Sequence, residues 1–333
     1  MTTDTKSPIS NRQEILFIYE AKDCNPNGDP LDENKPRTDP ETGVATVTDV
    51  RIKRTVRDYL LTEKKLEILV RDTFNEKGFL NDGKARFDTF LKESQANAND
   101  SIQDIVSKVG AKILEKCIDT RLFGCTLPVE VGKKSSSLRL TGPVQFSGFN
   151  RSFHRVSPML VQGTAGFASK KETTQKSFRE DHILPYACIG VYGVINEVAA
   201  RSTTLSDQDV TLLLEGLWKG TLSLITRSKV GHQPLILMRI KYNDGFRIGD
   251  LAGRLTIKTQ VDHEAIRNSS QFSLEASGLV NALKTAKEKI ESVEILEEGN
   301  LKFEIEKTSG KLKELLVQEN TGLKSKVSDL TFS

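Results

Sequence analysis

The stretch from Asp23 to Asn34, DCNPNGDPLDEN, sets oxygen-bearing side chains and a glycine at the spacing of a calcium loop: Asp23, Asn25 and Asn27, then Gly28. The rest of the stretch departs from that pattern. Asn34 stands where a bidentate glutamate should close the loop, and Pro26 and Pro30 remove backbone donors where the chain would wrap an ion. The incoming segment, EILFIYE from Glu14 to Glu20, is an apolar and aromatic run of strand character, whereas a calcium hand needs helices on both sides. The reading is a strand leading into an Asn/Pro/Gly/Asp loop with fixed turns, and no metal or other cofactor is called for.

Other catalytic chemistry is thinly represented. His154, His182, His232 and His263 stand in different contexts, with no HExxH or GxSxG pattern. His182 with Tyr186, or His232 with Lys229, could cleave RNA by general acid–base chemistry, and the same histidines serve equally well as binding groups. The segment GTAGFAS lacks the lysine and helix start of a nucleotide-phosphate loop. Cys24, Cys117, Cys125 and Cys188 show no paired metal spacing and read as reduced thiols of a cytoplasmic protein. No apolar run is long enough to span a bilayer, so no membrane partner is expected.

Cations interleaved with aromatics are the stronger signal. A net charge of only +3 over 333 residues makes their distribution more informative than their sum. Lys53, Arg54 and Arg57 share one side of a predicted helix with Arg51 at its margin, which is either a solvated face or a phosphate-binding one. Arg139, Arg151, Arg155, Lys170, Lys171, Lys176 and Arg179 are scattered among Phe146, Phe149, Phe153, Met159, Phe167 and Phe178. That mixture suits a single nucleic-acid strand, with cations on the backbone and rings on the bases, or else a surface loop with partly buried rings. In TRSKVGHQP, Arg227, Ser228, Lys229, His232 and Gln233 could donate to phosphate or 2′-hydroxyl oxygens, with Gly231 admitting a close backbone approach; an ordinary turn is the alternative.

The elements that must position these groups follow from periodicity. The spacing predicts strands over 14–20, 137–146, within 182–196, and over 233–243. Between them it predicts a helix capped by Thr48 or Asp49, with Ile52, Val56, Tyr59 and Leu60 inward. A second helix is capped near Ser206, with Val210, Leu213, Leu214 and Leu217 inward. Residues 62–120 read as a polar helical insertion, 147–181 as a stretch of little regular pattern, and the tail from Lys311 as a charged helix or a loose end. Without the insertions the order is β-α-β-β-α-β, an α+β ferredoxin-like arrangement.

The segments NPNGDPLDENKPRTDPETG, ATVTDVRIKRTVRDYL, GPVQFS, FREDHILPYACIGVYGVIN and RSKVGHQPL together resemble the Cas family seven backbone subunit of type I CRISPR Cascade complexes, nearest the I-B and I-C branches. The likeness runs to about Asn243. It implies an RRM-like palm (1–61, 121–146 and 182–333), helical fingers (62–120) and a thumb hairpin (147–181). It also implies a non-catalytic subunit whose copies stack along a guide RNA beside large, small and guide-end-capping subunits, with target DNA met through guide pairing. Lys53, Arg54 and Arg57 become phosphate contacts on this reading, and Asn27, Lys35 and Arg37 donors from the loop. Gln145 and His182 join the RNA-contact set, and Phe153, Met159 and Phe167 become thumb wedges. Asp29, Asp32 and Asp39 leave a ribonuclease of the same superfamily as the alternative.

Overall fold

Strand β1 (Gln13–Cys24) explains why its sequence is apolar without alternation. Ile15, Phe17, Tyr19 and Ala21 face one hydrophobic core while Leu16 and Ile18 face another. A strand covered on both faces has no solvent side on which to place polar residues. The computed structural model describes residues 7–97, 99–164 and 178–332.

After β1 the loop holds a minimal ladder, β2 (Gly28–Asp29) against β3 (Lys35–Pro36), and then β4 (Val44–Thr48). Helices α1 (Asp49–Thr62), α2 (Gly83–Glu93), α3 (Ile102–Lys116) and α4 (Ile118–Phe123) follow, then the hairpin β5 (Gly124–Val131) and β6 (Lys134–Thr141). Next come β7 (Val144–Phe146), β8 (Phe149–Arg155), β9 (Met159–Thr164) and β10 (Phe178–Ile195). Helices α5 (Glu197–Thr203) and α6 (Asp207–Leu222) lead to β11 (His232–Tyr242). The C-terminal part adds β12 (Thr256–Thr259), β13 (Phe272–Glu275), α7 (Ser277–Thr285), β14 (Ile290–Glu297), β15 (Lys302–Ile305), β16 (Thr308–Gly310), α8 (Leu312–Leu316) and β17 (Val327–Asp329).

The fold is α+β. The main sheet runs β17-β14-β11-β1-β10-β8-β4, with β7 and β9 also paired to β10. Helices α1 and α6 cover one face through Ile52, Val56, Leu60, Val210, Leu213 and Leu217, and α7 and α8 help to cover the other. Both long helices begin where the sequence places them: Thr48 accepts from the Arg51 amide, and Ser206 and Asp209 form a reciprocal capping box.

One expectation is corrected and two readings are sharpened. The strand foreseen over 137–146 is two: its first half pairs with β5 and only Val144–Phe146 joins the main sheet. Leu127, Val129 and Leu138 of the β5–β6 hairpin share a separate core with Phe87, Phe90, Ile105 and Val109, so the hairpin packs with the helical insertion. The tail is packed: Leu312, Leu315 and Leu316 are buried and β17 runs parallel to β14. Among the described residues no helix is long and apolar enough to cross a membrane.

Candidate nucleic-acid interface

The loop with the calcium-like spacing is held by its own amides. Asn27 Oδ1 accepts from the Thr48 amide (2.9 Å) and the Thr48 hydroxyl (3.0 Å), tying the loop to the cap of α1. Asn25 Nδ2 donates to the Asn34 carbonyl at 2.7 Å. A Cβ on Gly28 would lie 2.9 Å from the Asn34 carbonyl oxygen and would displace the Asn34 side chain, so the glycine suits this close turn. The loop's cations face its acids: Arg37 pairs with Asp29 at 2.9 Å and Lys35 with Asp32 at 2.7 Å. Among the described residues no group of three or more His, Cys, Asp or Glu side chains is placed to hold a metal.

The turn before β11 locks onto the same loop. The Lys229 ammonium donates to the Asn25 and Pro26 carbonyls, and the Asn25 amide donates to the Ser228 carbonyl at 2.9 Å. Gly231 lies against Lys22, where a Cβ would meet the carbonyl oxygen at 1.8 Å, so its missing side chain admits the chain's own backbone. Arg227 pairs with Asp181 at 2.5 Å, and His182 sits 3.9 Å from Glu33. His232 is buried, contacts the Lys229 carbonyl at 2.6 Å and stacks on Tyr19. Gln233 is exposed and Ser228 half-buried.

Arg51 completes this cluster. It lines one crevice with Tyr19, Pro26 and His232, and its guanidinium donates to Thr55 Oγ1 at 3.0 Å. Burial lowers its pKa. Burial also pulls Lys229 down to about 8, with the nearby Arg51 charge acting in the same direction, and pulls His232 down to about 4. Among the described residues neither Arg51 nor Lys229 forms an ion pair with a carboxylate. Asp58 acts on Arg51 only at longer range and Lys229 is held by carbonyls alone, so these two partly dehydrated cations lower their own energy when a phosphate approaches.

The other α1 cations are differently employed. Lys53 pairs with Asp49 and Arg57 with the buried Asp119, each at 2.9 Å, and both lie over the Phe123 ring. Asp119 also accepts from the Leu69 and Val70 amides, so Arg57 belongs to a buried knot joining α1 to the insertion. Arg54 pairs with Asp58 on the surface at 2.6 Å. Arg139 is exposed on the β5–β6 hairpin, and Gln145 is exposed on β7.

In the connector, Arg151 and Arg155 are exposed on β8, whereas Phe153 packs against the second core and is no protruding wedge. Met159 is 49% exposed on β9. Lys170, Lys171 and Phe167 lie outside the described residues, as does the side chain of Arg179. The catalytic pairings are also occupied: Tyr186 donates to Glu20 at 2.8 Å, and His232 is enclosed as above.

Sequence reasoning overlooked Glu14. This fully buried carboxylate accepts from the Tyr192 and Tyr242 hydroxyls and from the Ile248 and Gly249 amides, the last two at 2.8 Å. It fixes the loop after β11 against β10. The only local signal is a glutamate at the mouth of an apolar strand.

With this geometry in hand, comparison with known proteins gives a consistent answer. The family described as CRISPR-associated protein Cas7 matches residues 11–277. A CRISPR-associated protein Cas7 of Haloferax volcanii (strain DS2) is 30% identical over 314 residues, covering 89% of each chain. A chain of a solved "CRISPR RNA-guided surveillance complex, pre-nicking" superposes with a TM-score of 0.51 at 14% identity, over 87% of this chain and 93% of that one, a likeness in fold.

Proposed function

The chain belongs to the CRISPR-associated protein Cas7 family, and from that premise we propose that it is a non-catalytic, multi-copy subunit binding a guide RNA in a type I Cascade surveillance complex. It grips sugar and phosphate and leaves the guide bases free to pair with target DNA. Its partners are the guide, further copies of itself, and the large, small and guide-end-capping subunits. The order β11-β1-β10-β7, with α1 and α6 on one face, supports an RRM-like palm. The shared core of α2, α3 and the β5–β6 hairpin supports fingers that extend from residue 62 to about Thr141, and β9 against the start of β10 supports the thumb hairpin.

The observation that carries this reading is the pair Arg51 and Lys229, brought beside the amide-pinned loop without a carboxylate of their own. Lys53, Arg54 and Arg57 contribute more weakly, since each must leave an acid to meet a phosphate. The ribonuclease alternative has less support: Asp29 and Asp32 are paired to cations, and Asp39 is held by the Glu41 and Thr42 amides of its own turn. The test is to purify the chain and Arg51→Gln with a co-expressed guide. The reading expects a large particle rich in nucleic-acid absorbance for the former and a marked loss of RNA for the latter. Equal RNA in both would overturn the assignment of the site.

A further inference from the structure

Lys229 belongs to a surface turn, yet it is held at both ends. Its amide donates to the Thr226 carbonyl at 3.0 Å, and its own carbonyl accepts from the His232 amide at 3.1 Å and meets His232 Nδ1 at 2.6 Å. The side chain crosses to the opposite loop, where the ammonium donates to the carbonyls of the buried Asn25 and Pro26, the latter at 3.0 Å. The residue is nevertheless only half-buried, and Thr226, Arg227 and Val230 around it are exposed, so a small solute reaches it from the turn side.

Its surroundings set it apart from the lysines that meet acids. Lys53 faces Asp49, Lys84 faces Glu130 and Lys219 faces Glu215, and a carboxylate favours the ammonium form. Lys229 has carbonyl dipoles instead, and a second cation beside it: Arg51 lines one crevice with Pro26, whose carbonyl holds the lysine. The titratable groups around it are Arg51 from α1, Cys24 from β1 and His232 from β11. Burial pushes the Cys24 thiol up to about 12 and pulls His232 down to about 4, which leaves Arg51 as the charged one of the three. A dehydrated lysine next to another cation gives up its proton easily, and its free amine is a nucleophile. The fall of Lys229 to about 8 agrees with that placement.

We infer that Lys229 is an acylation site for small acyl phosphates, with Arg51 receiving the phosphate and Lys229 the acyl group, and that this modification closes the cradle to the guide. Its regulatory consequence rests on the guide-binding reading; the reactivity does not. An acyl phosphate fits the pair because it carries an anion for the guanidinium and, one oxygen away, an electrophilic carbon for the amine. The ammonium first gives one proton to solvent. The nitrogen then attacks the acyl carbon, and the C–N bond forms as the C–O bond to phosphate breaks. Phosphate leaves with that electron pair and takes a second proton from the nitrogen. The product is an uncharged amide with one N–H in place of three, so it can serve only one of the Asn25 and Pro26 carbonyls. Acylation thus removes a cation from the cradle and loosens the joint between loop and turn.

The experiment incubates the full chain, free of guide, with acetyl phosphate at about pH 8 and follows each lysine by peptide mass spectrometry. Lys229 should be acetylated about tenfold or more faster than the exposed Lys77 and Lys133. Arg51→Gln should slow Lys229 several-fold and leave Lys77 and Lys133 unchanged, and the same substitution should matter less with an uncharged acetyl ester, which has no phosphate to dock. Brief treatment should lower single-stranded RNA affinity about tenfold, and RNA bound beforehand should protect Lys229. Lys229→Arg, which keeps the charge and lacks the nucleophile, should bind RNA alike before and after treatment. Acetylation of Lys229 no faster than that of Lys77 and Lys133, or indifferent to Arg51→Gln, overturns the site. Fast acetylation that neither weakens RNA binding nor is slowed by bound RNA keeps the reactive lysine and overturns the guide-binding reading at this cradle.

Discussion

Two sets of cations on one helix have opposite employment. Arg57 and Lys53 lean over Phe123 and are matched to Asp119 and Asp49, whereas Arg51, on the other side, shares a crevice with Tyr19 and His232 and has no carboxylate partner among the described residues. The lesson is that the charge visible on a helical wheel is not the charge available to a ligand. A cation already satisfied by a buried acid must break that contact first, and a dehydrated cation without one gains by binding.

The largest expected effect comes from the matched set. Asp119→Ala leaves Arg57 and the Leu69 and Val70 amides without their acceptor, and should cost about 3 kcal/mol of stability in denaturant unfolding. A loss well below about 1 kcal/mol would show that the knot is looser than its geometry, and would return Arg57 to the pool of RNA contacts.

Next is Arg51→Gln, which should reduce single-stranded RNA affinity about tenfold while leaving unfolding within about 1 kcal/mol, since Arg51 makes only a local hydrogen bond to Thr55. The comparison fails if stability falls and binding does not.

Lys229 sharpens the contrast through pH. Its folded-state pKa of about 8 lies below the ordinary lysine value of 10.5, so the folded chain releases this proton first. Between those values the unfolded chain binds more protons, and the Lys229 contribution therefore makes stability rise with pH. Lys229→Met should flatten that rise in unfolding experiments spanning pH 7.5 to 10, and RNA affinity of the unsubstituted chain should decline as pH passes about 8. An identical rise in the variant would place the titration elsewhere.

The smallest effect belongs to Arg54→Ala. Arg54 and Asp58 form an exposed pair one helical turn apart, worth about 0.5 kcal/mol or less by unfolding. A larger loss would mean that Arg54 reaches a partner beyond its own helix.

What the sequence made legible follows from the range of the interactions involved. The capped starts of α1 and α6, the inward faces of both helices and the strand character of β1 are set by local periodicity and were readable. The break at Gly142 and Pro143, which sends Ser137–Thr141 to another sheet, depends on pairing with β5 that no local pattern announces. Within the site, the 226–233 turn meets the loop through Lys229 and the Asn25 carbonyl, residues 204 apart along the chain, a contact that no local pattern announces. Arg51, assigned only to a margin, emerged because its partner Lys229 comes from a segment 178 residues away along the chain. Asn27 has the reverse lesson: its side-chain oxygen is spent on the cap of α1 and leaves it a positioning role.

The most direct test of this account is the salt dependence of single-stranded RNA binding by the unsubstituted chain, Arg51→Gln and Lys53→Gln, measured side by side. The account predicts that Arg51→Gln lowers the slope of log affinity against log salt by roughly one while Lys53→Gln leaves it nearly unchanged. The opposite ranking would contradict it.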